Sequence, residues 1–242
     1  SRMSRRPHGW HYFLLKQRET AIRPGIFSNF AVSIHYIIMI LEGIKNIIFD
    51  LGEVLVGIDE QRCMAAFDRL GAHRISDYVR HHRTEDMFMD VEIGRSTQEQ
   101  FCDEIRRVAG ISATDSDIVD AWNLLLTDIP DSKKQKVLQL HEHHRIFLLS
   151  NTNYMHWRYC ADHLMDYHGH SLSDFFDRIF LSYEMHMVKP HADIFQTVLA
   201  EAGISASDTL FIDDNADNCA TANRLGIRTL LHSKDNDWTT QL

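Results

Sequence analysis

Three polar sites stand where apolar runs end, and a lysine stands at a predicted helix start. Asp50 closes the run in "IIFDLGEVLV" (Ile47 to Val56). Ser150 and Asn151 follow the apolar stretch of "LLSNTN", Asp213 and Asp214 open the acidic end of "FIDDNADN", and Lys189 precedes Pro190 in "VKPHADIF". A carboxylate is ionised near neutral pH and can attack without an activating base. A hydroxyl and an ammonium can stabilise charge on the group under attack. Adjacent aspartates repel unless a cation or a hydrogen-bond network compensates them, and a thiolate-free, carboxylate-rich site suits Mg²⁺. Taken singly, each group also has a plainer reading: a turn former, a helix cap or a solvated lysine.

The elements that must position them are short apolar runs at Ile44–Phe49, Arg145–Leu149, Arg178–Leu181, Thr209–Ile212 and Arg228–Leu231. Amphipathic stretches at Tyr154–Leu164, Pro190–Ala202 and Ala216–Leu225 separate the later ones. Apolar runs without alternation, divided by helices, predict an α/β fold with a Rossmann-like parallel sheet covered on both faces. Gly203 and Gly226 lie where helix C-terminal glycines belong. The ninety or so residues after the first run contain no clear strand. There "STQEQFCDEIRRVAG" predicts a helix opened by a capping box from Ser96 to Glu99 and closed by Gly110. "SDIVDAWNLLL" predicts another, with Ile118, Ala121, Trp122 and Leu125 on one face. The expected organisation is an N-terminal extension (1–42), a core built from 43–56 and 131–242, and a helical cap (57–130) inserted over the carboxyl ends of the strands.

In order and together, these motifs resemble the haloacid dehalogenase-like hydrolases, over roughly residues 44–232. The resemblance implies that Asp50 is a nucleophile forming an aspartyl-phosphate. It also implies that Ser150 and the main-chain N–H of Asn151 hold the phosphoryl group and that Lys189 neutralises it. Mg²⁺ would be bound by Asp50, the carbonyl of Gly52 and Asp214, with Asp213 as a direct or indirect ligand. Most phosphatases of the superfamily carry an Asp two residues after the nucleophile as general acid and base; here that position is Gly52. Three explanations stay open: Glu53 supplies the proton, the substrate has an acidic leaving group such as an anomeric hydroxyl, or the protein is a weak or repurposed phosphatase. The glycine is also expected to allow backbone angles denied to other residues. "EIGRSTQEQF" resembles the cap loop of sugar-phosphate hydrolases, placing Glu92, Gly94 and Arg95 over the site, with Arg95 as a substrate contact. The motif variants together resemble a bacterial glucose-1-phosphate phosphatase branch.

The expected function is hydrolysis of a small phosphorylated metabolite, a sugar phosphate in particular. A dehalogenase or phosphonatase and a catalytically silent binding protein are the alternatives. A phosphonatase needs a Schiff-base lysine in the cap, and residues 46–132 contain no Lys. The net charge of −9 argues against nucleic acid as a partner. The charge is uneven: residues 1–40 hold six Lys/Arg against one Glu, leaving −14 on residues 41–242. Four scattered cysteines form no C-x-x-C pair and suit a reducing, cytoplasmic setting. The apolar part of the basic head is too short to span a bilayer, so the head reads as a non-catalytic extension with Met39 as the functional start. His81–His82 and the "HEHH" stretch, His141 to His144, read as solvated helix faces. A monomer or weak homodimer is expected.

Overall fold

A computed structural model describes residues 40–81 and 86–242. Five strands form one parallel sheet in the order β3-β2-β1-β4-β5, with β1 at Asn46–Phe49, β2 at Arg145–Ser150, β3 at Arg178–Leu181, β4 at Thr209–Asp213 and β5 at Arg228–Leu231. The central strands are apolar on both faces because both faces are covered. Ile48, Phe147, Leu149 and Phe211 pack with Ile194, Phe195 and Val198 on one side. Ile47, Phe49, Leu148 and Ile212 pack with Trp238 and Leu140 on the other. In such a sheet the carboxyl ends of neighbouring strands lie side by side, so residues distant in sequence meet at one edge.

Between β1 and β2 stand the helices Glu60–Arg69, His73–Arg80, Asp86–Glu92, Gln98–Ala109 and Asp115–Asn123. They enclose a core of their own, including Phe67, Ile75, Phe101, Ile105, Ile118 and Trp122. The chain enters and leaves this inserted cap along one two-stranded stem. There Thr127 N–H donates to Gly57 O (2.8 Å) and Asp59 N–H donates to Leu125 O (2.7 Å).

Several local expectations shift. The capping box of the fourth cap helix is Thr97 with Gln100, one residue on from Ser96 and Glu99. Both pairs satisfy the same four-residue pattern, and the register that buries Phe101, Cys102 and Ile105 selects the later one. Leu125 lies beyond the helix end at Asn123 and belongs to the stem. The last five residues of Tyr154–Leu164 are wound as a π-helical turn. Of the "HEHH" stretch, Glu142 and His143 are exposed, whereas His141 and His144 are half-buried and partnered: His141 pairs with Asp177 (3.1 Å), and His144 Nδ1 lies 3.2 Å from Ile44 O. His81 is exposed beside Asp77. The expectations for residues 1–39 and for His82 fall outside the described residues.

Candidate active site

Asp50 emerges from β1 with its N–H donating to Ile212 O of β4 (2.9 Å). Lys189 is buried beside it, its Nζ 2.7 Å from Asp50 Oδ1, 2.7 Å from Asp213 Oδ2 and 3.1 Å from Leu149 O. One ammonium thus bridges the ends of three strands and spends its three donors doing so. Asn151 sets its position: the side-chain amide donates to Lys189 O (2.9 Å) and its oxygen accepts from Lys189 N–H (2.9 Å). The solvated lysine of the plainer sequence reading is therefore wrong, since only the fold brings Lys189 under the sheet edge.

Asp213 is fully buried. Besides Lys189 it accepts from Asn215 N–H (2.8 Å) and from Asn218 Nδ2 (3.0 and 3.1 Å). Its neighbour Asp214 is exposed, and carboxylate oxygens of Asp50, Asp213 and Asp214 lie within 4.8 Å of one another. Burial pushes the Asp50 carboxyl up to about 6; Lys189 works against that shift and Asp213 adds to it. Burial alone would lower the Lys189 pKa, but Asp50 and Asp213 more than offset it and hold the ammonium charged. Asp214 is raised, first because its carboxyl is partly shielded from water at the site although the residue as a whole is exposed, and second by Asp213. Three carboxylates against one ammonium leave uncompensated negative charge, so the donor set fits a hard divalent cation held by oxygen ligands. Asp213 has its oxygens committed to nitrogen donors, which suits orienting Lys189; Asp50 and Asp214 are freer to face a cation.

The loop after Asp50 answers part of the glycine question. Gly52 does not occupy the left-handed region; Glu53 does, at φ 56°. A Cβ built on Gly52 would meet nothing nearer than Ile58 Cδ1, at 4.0 Å. The glycine's freedom to take backbone angles denied to other residues is therefore not used here, and a methyl group at this position would meet no clash. Gly52 O accepts from Val54 N–H (2.6 Å), which leaves one lone pair. Glu53 is exposed, on the side where Asp214 and Lys133 feel its charge. The loop is pinned from behind, because Val54 O accepts from Lys133 Nζ (2.6 Å) and from the buried Trp238 indole (2.9 Å). Neither residue stood out in the sequence, where Trp238 near the C-terminus carries no motif.

Under the cap lies a cavity of about 140 Å³ whose walls include Gly52, Ser150, Asn151, Glu92, Trp122 and His156. Ser150 and Asn151 are therefore brought together with the Asp50 loop. Arg95 is not: its side chain is exposed, 3.6 Å from Asp90, in a separate hollow on the cap. Glu92, three residues earlier, takes the inward place. His156 stacks on Trp122 (ring centroids 4.7 Å apart), with Nε2 3.1 Å from Trp122 O. A carbonyl only accepts, so Nε2 carries the proton and Nδ1 accepts from Asn153 Nδ2 (3.2 Å). Burial pushes the His156 pKa down to about 4, keeping the ring neutral. The Trp122 Nε1–H is buried without a partner among the described residues.

The sheet with its inserted cap and edge-bound aspartates is matched by the family model of haloacid dehalogenase-like hydrolases over residues 44–226, and the chain belongs to that family. It is 28% identical over 199 residues to the D-ribitol-5-phosphate phosphatase of Bacteroides thetaiotaomicron, covering 82% of this chain and 97% of the relative. The HAD family enzyme bt-2542 from Bacteroides thetaiotaomicron, solved in complex with magnesium and inorganic phosphate, is similar at 38% identity and a TM-score of 0.77, over 81% of this chain and 97% of that one. A HAD-like family hydrolase from Porphyromonas gingivalis is similar at 34% identity and a TM-score of 0.74, over 81% and 94% of the two chains.

Proposed function

We propose that the protein is a Mg²⁺-dependent phosphomonoester hydrolase that turns over a small polyol or sugar phosphate through an aspartyl-phosphate on Asp50. The single observation that carries this reading is the buried Lys189 bridging Asp50 and Asp213 with Asp214 alongside. It keeps the nucleophile ionised and leaves net negative charge for a divalent ion. Asp50 attacks phosphorus; Lys189, the Ser150 hydroxyl and the Asn151 main-chain N–H stabilise the oxygens of the transferring group. Asp213 positions Lys189. A divalent cation held by Asp50, Asp214 and the Gly52 carbonyl would neutralise phosphoryl charge. Residues 57–130 act as the cap over this site, and 43–56 with 131–242 as the body that carries the motifs.

The substrate reading follows the relatives and the cavity. One relative is a D-ribitol-5-phosphate phosphatase, and a similar enzyme has been solved with magnesium and inorganic phosphate. The small cavity, with an unpartnered indole N–H on a wall residue, suits a few hydroxyl groups more than a large or wholly apolar substrate. A panel of pentitol 5-phosphates, hexose 6-phosphates and hexose 1-phosphates, assayed for phosphate release with and without Mg²⁺, tests the reading. Primary-alcohol phosphates are expected to lead. Dominance of the 1-phosphates would return the glucose-1-phosphate reading, metal-independent chloride release would return the dehalogenase, and tight binding without turnover would return the silent protein.

A further inference from the structure

A primary-alcohol phosphate makes the position of Gly52 a chemical problem, because an alkoxide is a poor leaving group and no side chain at 52 can protonate it. Glu53, the neighbouring acid, is exposed and is absent from the walls of the cap cavity. Glu92 is part of those walls, contributed by the cap, together with Leu51 and Gly52 of the loop that follows Asp50 and with Ser150 and Asn151. We propose that Glu92, delivered by the cap, is the general acid and base that this chain lacks at position 52. This rests on the phosphatase reading above.

Three observations support the assignment. The helix Asp86–Glu92 ends on a clamp between cap and body. His186 Nδ1 lies 2.9 Å from Ile93 O, and Gly94, at φ 67°, packs so closely that a Cβ would stand 2.1 Å from Tyr183 O. Glu92 is thereby held in the cavity wall by the body itself. Second, His156 is the one other titratable side chain among the wall residues, and it is neutral, so it does not ion-pair with Glu92; the clamp adds only His186 and Tyr183 nearby. Third, burial pushes the Glu92 carboxyl up to about 7, which suits a group that must give and then take a proton near neutrality.

The step balances. As the Asp50 oxygen bonds to phosphorus and the bridging P–O bond breaks, the Glu92 carboxyl gives its proton to the departing alkoxide, releasing the alcohol. The Glu92 carboxylate then takes a proton from the water that attacks the aspartyl-phosphate. That bond to Asp50 breaks, phosphate leaves, and both acids return to their starting states.

The test is leaving-group dependence in Glu92→Gln, which keeps size and hydrogen bonding but cannot donate an acidic proton. With D-ribitol 5-phosphate, kcat/KM, which reports the steps up to departure of the alcohol and not the later hydrolysis of the aspartyl-phosphate, is expected to fall ~100-fold or more, and with p-nitrophenyl phosphate, whose leaving group needs no proton, by no more than about threefold. Retained turnover of the activated ester also shows that the variant is folded. Equal losses of kcat/KM on the two esters, a loss carried by KM alone, or no change overturns the assignment while leaving the phosphatase reading intact. Failure of the wild-type protein to hydrolyse either ester overturns both.

Discussion

The strand edge and the cap wall handle polar groups in opposite ways. At the edge, Asp50, Lys189 and Asp213 are buried with their charges and partnered almost atom for atom. In the wall, His156 is neutral, the Trp122 indole N–H has no partner among the described residues and Glu92 has no compensating cation among the groups that shift it. A phosphoryl group brings the same charge with every substrate, so its site can be built complete in advance. The alcohol portion differs between substrates, and its site keeps groups in reserve for the ligand.

The contrast can be broken most severely at Asp50. Asp50→Asn is expected to lower phosphate release on the order of 10⁴-fold or more, because the nucleophile is lost. Excess chelator should silence the wild-type protein reversibly, and added Mg²⁺ at about 100 times its Kd should raise unfolding stability by about 2.7 kcal/mol. Persistence of turnover in either case would remove the edge from the chemistry.

Lys189→Met tests whether the edge depends on its single cation. It leaves two buried carboxylates without their shared cation, Asp213 keeping only neutral donors, and is expected to cost about 3–5 kcal/mol in urea unfolding, besides activity. A variant as stable as wild type would mean that the carboxylates are wetter than their burial implies.

In the wall the sign of the pH effect is diagnostic. His156 binds a proton near pH 6.5 when unfolded and only near 4 when folded. At this site the unfolded state therefore holds more protons in that window, and the contribution of His156 to stability falls as pH drops from about 6.5 towards 4, by up to about 3 kcal/mol, while the raised carboxyls of Asp50 and Glu92 act in the opposite direction. The difference in unfolding free energy between the wild-type protein and His156→Phe, followed across this range, should change by that amount, with the wild-type protein losing ground to the variant as pH falls.

The smallest effects compare two glycines. Gly94→Ala must move the cap loop away from Tyr183 O and should destabilise by about 1–3 kcal/mol, whereas Gly52→Ala, with open space, should change stability by less than about 0.5 kcal/mol. Thermal melts of the pair would show whether the two loops are as unlike as their packing.

Much of this was legible beforehand, for local reasons. Unbroken apolar runs such as "NIIF" and "TLFI" mark strands buried on both faces, and polar residues immediately after them must fall at the carboxyl edge of a parallel sheet. Asp50, Ser150 and Asp213 could therefore be placed without coordinates. Ser96 carries the same capping pattern as Thr97, so spacing alone starts that helix one residue early. A cation is the expected partner of phosphate, which favours Arg95 over Glu92, and nothing in "EIGR" says which side chain turns inward.

What the sequence determined by itself, then, is the order of strands and helices and the chemistry waiting at the strand ends, since both follow from side-chain type and near-neighbour spacing. Only the tertiary structure decided that Lys189 is buried between two aspartates, that Trp238 holds the loop of Gly52 from behind, and that Glu92 faces the cavity while Arg95 faces water. Those outcomes depend on which surfaces meet when segments far apart in the chain pack together, as where Gly94 closes on Tyr183 and turns the end of the cap helix towards the site.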